Sequence, residues 1–172
     1  LVEAWSGHKK ANQLDYVTGW HAKAMEFFET RKGEFAFVTT NSIAQGQPVP
    51  ALFEPLFSAG WVIKFAHRTF AWDSEAPGKA AVHCVIIGFT RNLDAKPRLW
   101  NYRRVSGEPV EEPVTRRVNA YLVDGANVLV KNRSKPLADL PIARFGSMPN
   151  DGGNLIVELD EYDEVVSDPI AA

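Results

Sequence analysis

Two aromatic residues in the run HRTFAW, Phe70 and Trp72, are the first candidates for chemistry in this chain. They lie between two apolar runs, residues 61–66 and 80–89, so the sequence predicts an aromatic loop between two core strands. Such rings either pack onto the core or offer a π-face on which a nucleotide base can stack. The residues alone leave both interpretations open.

Two polar residues, Asn41 and Ser42, follow a short apolar run at residues 35–38. Ligands of open α/β sheets bind beyond the carboxyl ends of the parallel strands. Both side chains are therefore candidates for a position near an active-site cleft. They are equally typical of an ordinary turn.

Basic residues are concentrated in the middle of the chain. Residues 91–144 carry eleven Lys and Arg against six Asp and Glu, whereas residues 145–172 carry seven acidic residues and no Lys or Arg. A basic stretch favours a polyanion such as nucleic acid, although a solvated arginine-rich face explains the charge equally well. The candidates for phosphate or base-edge contacts are Arg103, Arg104, Arg116, Arg117, Lys131, Arg133 and Lys135.

Several classes of protein are excluded by composition. The chain is 45% hydrophobic and 23% charged, and no apolar run approaches the roughly 20 residues that span a bilayer. A single cysteine, Cys84, excludes an intrachain disulfide and fits a cytoplasmic setting. The four histidines lack the spacing of a metal site, so we expect no metal. Gly152–Gly153 follows no predicted βα unit, so we expect a turn there and no glycine-rich cofactor fingerprint.

The periodicity of apolar residues predicts the elements of the first half. It indicates a helix over residues 14–28 with Asn12 as its N-cap. Pro50 near a first turn and Gly60 as a stop predict a short second helix over residues 50–57. Strands are predicted at residues 35–38, buried on both faces, and at residues 61–66. Because a strand–helix–strand unit is a right-handed parallel crossover, we expect these strands to be parallel neighbours.

The linker over residues 67–79 contains Pro77–Gly78 and has no helical period. A parallel return usually requires a helix in the crossover. We therefore expect residues 80–89 to run antiparallel to a neighbouring strand and to be buried on both faces.

Beyond residue 91 the pattern becomes irregular. It predicts a short strand at residues 99–102, a loop over residues 106–113, a turn at Asp124–Gly125 and an acidic helix over residues 160–166. The expected fold class is α/β, with a parallel sheet finished by an antiparallel strand and followed by an irregular α+β segment.

Four segments of the chain resemble the MmeI-like class of DNA adenine-N6 methyltransferases, the bifunctional restriction–modification group and its methylase-only relatives. They are LDYVTGWHAKAMEF, FAFVTTNSIAQGQPVPALFEPL, IKFAHRTFAWDSEAPGKAAVHCVIIGF and FGSMPNDGGNLI. The resemblance covers nearly the whole chain, most specifically from Leu14 to Phe89. It implies a partial Rossmann-like class I methyltransferase sheet, double-stranded DNA as partner and S-adenosylmethionine as cofactor of the parent protein.

The resemblance also implies a division of the chain. Residues 1–91 correspond to the second half of the methyltransferase domain, residues 92–118 to a linker, and residues 119–172 to part of the DNA target-recognition domain. Because the sequence starts at Leu1 without a signal-like segment, we expect a piece of a longer protein, with the rest of the parent polypeptide as a further partner.

Two motifs of the family are absent from the printed sequence: the glycine-containing cofactor motif and the Asn-Pro-Pro-aromatic catalytic motif. In the family both lie upstream of the segment that starts near Leu14. We therefore expect no catalytic residue in this chain, no activity from the chain alone, and weak or no binding of S-adenosylmethionine by it.

The resemblance assigns one residue a role. In related adenine methyltransferases an aromatic before the antiparallel strand stacks on the flipped-out base, and Phe70 occupies that position, with Trp72 as the alternative. The competing interpretation of the whole chain is a non-enzymatic module that binds nucleic acid or serves as a scaffold.

Overall fold

A computed structural model describes part of the chain, namely residues 1, 3–5, 14–72, 82–133 and 156–167. The chain divides into two compact units, Leu1–Asn132 and Arg133–Ala172. The described part of the second unit contains a short acidic helix, which is α3 below. The predicted helix over residues 160–166 is therefore confirmed to within two residues.

The elements of the chain alternate between helix and strand before a run of strands. In chain order they are a 3-10 turn (Tyr16–Thr18), α1 (Gly19–Phe27), β1 (Phe35–Thr40), a 3-10 turn (Asn41–Ala44), α2 (Pro48–Ser58), β2 (Val62–Trp72), β3 (Val82–Thr90), β4 (Arg98–Tyr102), β5 (Pro109–Glu112) and α3 (Tyr162–Ser167). None of the helices in the described ranges is long and apolar enough to cross a membrane.

The five strands form one mixed sheet in the order β1-β3-β2-β4-β5. Strand β3 runs antiparallel to both β1 and β2, β4 runs parallel to β2, and β5 runs antiparallel to β4. The predicted α/β class and the antiparallel direction of residues 80–89 are confirmed.

The prediction that β1 and β2 are neighbours is wrong. They point the same way, but β3 lies between them and pairs with both. The α2 crossover is long enough for this arrangement, since 11 helical residues span about 16 Å and two strand spacings amount to about 10 Å. The helical crossover therefore indicated that β1 and β2 run in the same direction. It did not indicate how many strands lie between them.

Burial differs between the two strands that were expected to be buried on both faces. Strand β3 is flanked on both sides, and six of its nine residues are buried. In β1 the prediction is wrong, because Ala36 and Val38 are exposed. Residues Phe35, Phe37 and Thr39 of β1 lie on the other face, in register with Phe89, Ile87 and Val85 of β3.

The hydrophobic core lies between that face of the sheet and the helices. Helix α2 contributes Val49, Leu52, Phe53 and Leu56, all fully buried, and Phe53 contacts the Phe89 ring at 6.2 Å. The helix continues through Pro55 although proline removes one backbone hydrogen bond. An interior proline costs about 3 kcal/mol, whereas burial of each large apolar side chain is worth roughly 1.5–3 kcal/mol, so the four buried side chains together outweigh the cost.

The first helix is shorter than predicted. Residues Tyr16–Thr18 form a 3-10 turn, and α1 begins only at Gly19; the predicted cap Asn12 lies outside the described residues. Both the backbone N–H and the hydroxyl of Thr18 donate to the Asp15 carbonyl oxygen. This local side-chain bond favours the tight turn over a regular helical start.

The irregular second half contains more strand than predicted. Strand β4 confirms the strand at residues 99–102, whereas β5 falls inside residues 106–113, which were expected to form a loop. Pro109 is tolerated because it is the first residue of an edge strand. Both strands lie within residues 92–118, the predicted linker, and the proposed domain boundaries stay predictions.

One buried polar residue lies against the core face of β1 and β3. His21 of α1 is fully buried, with its ring 5.0 Å from that of Phe37 and 5.9 Å from that of Phe89. Burial lowers its pKa to about 4, against a smaller opposing effect of the Val17 backbone. Neither ring nitrogen makes a hydrogen bond of normal geometry to a described residue. The imidazole is therefore neutral in the folded protein at pH 7.

This burial predicts an acid-sensitive fold. The unfolded chain binds a proton at His21 near pH 6.5 and the folded chain only near pH 4, so the free energy of unfolding falls as pH drops through this window. Between pH 7.5 and pH 5 the loss should be about 2 kcal/mol. In urea unfolding, the free energy of unfolding of His21→Leu should not show this decrease of about 2 kcal/mol. The matched control His83→Leu, at an exposed position, should still show it. An unchanged pH dependence in His21→Leu would contradict the assignment.

Candidate nucleic-acid interface

The aromatic residues of HRTFAW lie on a strand and not on a loop, so that prediction is wrong. Strand β2 continues to Trp72, and its ladder to β3 pairs Phe70 with Cys84 and Trp72 with Val82. Aromatic and β-branched residues favour strands. Because β2 pairs with β3 as far as Trp72, it is six residues longer at this end than the predicted strand, which ended at residue 66. The connecting residues 73–81 lie outside the described residues.

A β-bulge determines the direction of Phe70. His67 pairs with Ile86 and Phe70 with Cys84, so three steps along β2 correspond to two steps along β3. In a regular strand residues three apart would point to opposite faces. The bulge brings Phe70 onto the face of His67, and both rings contact Tyr102 of β4, at 5.2 and 6.1 Å. Bulges often re-aim side chains in this way beside functional sites.

These contacts build a continuous row of rings across β2 and β4, which we call the aromatic row. Its consecutive members are Trp72, Phe70, Tyr102, His67 and Trp100, with the Arg98 guanidinium at the far end. The imidazole of His67 is stacked on Trp100 with centroids 4.6 Å apart and an interplanar angle of 9°. The row lies on the face opposite to the one covered by α1 and α2.

Polar contacts hold the row in place. The hydroxyl of Tyr102 lies 2.9 Å from Nδ1 of His67, and Arg98 binds both carboxylate oxygens of Glu111 at 2.8 and 2.9 Å. Burial lowers the pKa of His67. Burial, with a contribution from Glu108, raises the pKa of Tyr102. Both groups are therefore neutral near pH 7, and the bond between them is neutral.

Exposure separates Phe70 from the hydrophobic core. Phe70 is half-buried, Trp72 is 48% exposed, and neither ring belongs to the buried core cluster. Phe70 therefore lies outside the buried core cluster and remains partly exposed to solvent.

The strand register brings Asn41 and Ser42 to the same edge of the sheet as Phe70. Thr40 pairs with Cys84, which in turn pairs with Phe70, so the 3-10 turn that follows Thr40 starts about 10 Å from Phe70. The Ser42 hydroxyl contacts that of Thr40 at 2.8 Å and donates to Asp15 at 3.2 Å. Ser42 thus fixes the turn, while the amide of Asn41 has no hydrogen-bond partner among the described residues.

The turn between β4 and β5 places Arg103 and Arg104 beside the end of β2. The Ala71 backbone N–H donates to the Val105 carbonyl oxygen at 2.6 Å, which ties this turn to the residue after Phe70. Both arginines are exposed, and neither forms an ion pair with another described residue. Of the seven basic candidates, these two are tied to the Phe70 end of β2.

Arg116 and Arg117 lie near the other end of β2. Val118 forms a bridge with Ile63, which is about 20 Å along the strand from Phe70. Asp124 orders this segment by accepting hydrogen bonds from the Thr115 hydroxyl and the Thr115 and Arg116 backbone, which lower its pKa to about 2. The structure therefore does not bring these arginines together with Phe70.

The three remaining basic candidates differ in status. Lys131 forms an ion pair with Glu54 of α2, so its charge is partly compensated. Arg133 is an exposed residue of the second unit. Lys135 lies outside the described residues.

Sequence reasoning missed the β4 half of the aromatic row. Trp100 and Tyr102 alternate along β4, which places them on one face, but their partners on β2 depend on long-range register. The period-2 spacing of the two rings in a predicted strand was the available signal.

A cavity of about 240 Å³ lies near the carboxyl end of β2, lined in part by Arg68, Thr69 and Asn101. The Arg68 guanidinium is already engaged by the Leu122 carbonyl oxygen and by Glu112, at 2.8 and 2.9 Å. No group of His, Cys, Asp and Glu within the described ranges is arranged to hold a metal.

A mixed sheet in which one reversed strand lies between two strands of common direction, with helices packed against one face, forms an α/β fold. The family described as "MmeI, DNA-methyltransferase domain" matches residues 2–101, and the family "MmeI, target recognition domain" matches residues 124–172. The chain belongs to the MmeI DNA-methyltransferase family, as the four segments indicated.

Two relatives illustrate the match. The chain is 38% identical over 159 residues to DNA methyltransferase A of Bacillus subtilis (strain 168), covering 92% of this chain and 17% of that protein. It superimposes on the Type IIL restriction-modification enzyme MmeI in complex with DNA, with a TM-score of 0.85 and 40% identity. That match covers 96% of this chain and 22% of the solved chain. The chain thus spans about one fifth of each relative.

Proposed function

We propose that the protein that contains this chain transfers a methyl group from S-adenosylmethionine to the N6 atom of adenine in a specific sequence of double-stranded DNA, in the cytoplasm. The chain supplies Phe70 as the residue that stacks on the target base, with Trp72 as its alternative, and Asn41 and Ser42 beside the cleft. The rest of the parent polypeptide supplies the cofactor and catalytic motifs, which the printed sequence lacks.

The observation that carries this proposal is the position of Phe70. Phe70 is partly exposed and lies near the carboxyl end of β2, in register with Thr40 through Cys84, in a chain of a DNA-methyltransferase family. An enzyme that modifies a base inside a duplex extrudes that base, at a cost of a few kcal/mol. Stacking on an aromatic side chain is worth roughly 1–3 kcal/mol and offsets much of this cost.

The first test replaces Phe70 in the full-length methyltransferase. Phe70→Ala should lower kcat/KM for DNA methylation by about one to two powers of ten, because the extruded base loses its stacking partner. Phe70→Trp should retain much of the activity, since stacking requires a π-face and no particular hydrogen bond. Radiolabel transfer to a duplex with the enzyme's own site measures both.

The control for this test is Phe27→Ala, which removes a 55% exposed ring from α1. It should leave kcat/KM unchanged. If Phe70→Ala lowers the melting temperature by several degrees yet methylates DNA normally below that temperature, Phe70 is a packing residue and the assignment is wrong. Normal activity of Phe70→Ala without any loss of stability points instead to Trp72 as the stacking residue.

The second test compares two arginine pairs at opposite ends of β2. Replacement of Arg103 and Arg104 by alanine should weaken DNA binding and reduce the slope of log K against log salt by about 0.9 for each lost phosphate contact. Replacement of Arg116 and Arg117 should have a smaller effect, because they lie about 20 Å further along β2. Fluorescence anisotropy over a salt series measures both. Equal effects of the two pairs would contradict this division.

The third test concerns the cofactor. The isolated chain should bind S-adenosylmethionine weakly or not at all and should not methylate DNA, because the cofactor motif is absent from it. Calorimetric titration checks this, with the full-length enzyme as the positive control. Micromolar binding by the isolated chain would contradict the expectation. If the full-length protein also fails to bind the cofactor, the alternative of a non-enzymatic nucleic-acid-binding or scaffold module is favoured.

A further inference from the structure

The second ring of the Phe70 site comes from β4. Within the described residues Phe70 has two ring partners: Tyr102 at 5.2 Å with an interplanar angle of 27°, and Trp72 at 6.4 Å with an angle of 51°. Near-parallel, offset rings at the shorter distance form the more favourable aromatic contact. Tyr102 is therefore the main support of the Phe70 ring.

Phe70 requires such a support because its own burial does not fix it. The ring is half-buried and lies outside the core cluster. A ring that is free to rotate loses rotamer freedom when a base stacks on it, and this loss weakens binding. A ring already held in one orientation avoids that loss, so the partner of Phe70 affects base stacking without contacting the base.

Tyr102 is itself held by three contacts. Its backbone pairs with Pro109 in the β4–β5 ladder, and its backbone N–H donates to the Asn101 side chain at 2.9 Å. Its hydroxyl lies 2.9 Å from Nδ1 of His67, whose ring is stacked on Trp100. A ring fixed in this way is suited to be a rigid support and is poorly suited to be a plug that an incoming base displaces.

We propose that Tyr102, braced by His67, is a positioning residue that holds the Phe70 ring in the orientation required for stacking on the extruded target base. This inference rests on the proposed function of Phe70. Tyr102 of β4 would thus affect base extrusion only by holding Phe70 of β2. It would not contact the substrate itself.

The test uses the full-length methyltransferase and a duplex that carries 2-aminopurine at the target adenine of its own site, located by mapping methylated adenines in the host DNA. Fluorescence of 2-aminopurine reports base extrusion, and single-turnover methylation of the adenine duplex reports chemistry. Tyr102→Leu should lower the methylation rate about tenfold and reduce the fluorescence gain, with KM for DNA and cofactor changed by less than about twofold. Tyr102→Phe keeps the ring and loses only the contact with His67. Its methylation rate should fall by less than about threefold.

The matched control is Tyr16→Leu, the same substitution at a residue that is 79% exposed before α1. It should leave both measurements unchanged. The decisive comparison is the double variant Phe70→Leu with Tyr102→Leu, because a residue that acts only through Phe70 adds nothing once Phe70 is gone. The double variant should therefore methylate DNA no more slowly than Phe70→Leu alone.

Each other outcome overturns a defined statement. Losses that multiply in the double variant show that Tyr102 acts independently of Phe70 and overturn the inference. Faster extrusion by Tyr102→Leu identifies a plug and also overturns it. A loss in Phe70→Leu with none in Tyr102→Leu overturns the inference and leaves the proposed function of Phe70 intact. No loss in Phe70→Leu overturns the role of Phe70 itself. If Tyr102→Leu has a lowered melting temperature, both measurements are made below that temperature. An unchanged methylation rate there, or an increase in KM for DNA without a decrease in rate, overturns the inference.

Discussion

Antiparallel pairing of β3 with both β1 and β2 is the constraint on which the rest of this unit depends. It sets the register that aligns Thr40, Cys84 and Phe70, and with it the edge at which the candidate site lies. It also packs Val85, Ile87 and Phe89 of β3 against the helices, where Phe89 contacts rings from α1 and α2. One strand therefore supplies both the centre of the core and the scaffold of the interface.

Local sequence signals predicted several elements. Helix α2, the short β4 and the acidic α3 were all recognisable from the sequence, and the direction of β3 followed from its linker. Strand order was not predictable, because the length of the α2 crossover allows both one and two strand spacings. The extent of β2 was not predictable either, since its last residues are strand only through pairing with β3.

The candidate site shows the same limit at the level of single residues. The sequence and the family resemblance together identified Phe70, but its direction depends on a bulge, and a bulge is visible only in the pairing of two strands. Trp100 and Tyr102 were placed on a strand without a role, because their partners lie about 30 positions away. The seven basic candidates were equivalent in the sequence, whereas the Ala71–Val105 bond and the Ile63–Val118 bridge place two of the pairs at opposite ends of β2.

The two margins of the sheet differ in a way that governs how it can grow. Strand β5 is four residues long and begins with Pro109, which has no backbone N–H to donate to an additional strand. This edge of the sheet is therefore a poor template for strand addition. Strand β1 has six residues, none of them proline, and within the described part of the chain it pairs on one side only. Strand β1 is therefore the edge at which a further strand can be added to the sheet. Edge-to-edge association between copies in concentrated solution would also begin at β1.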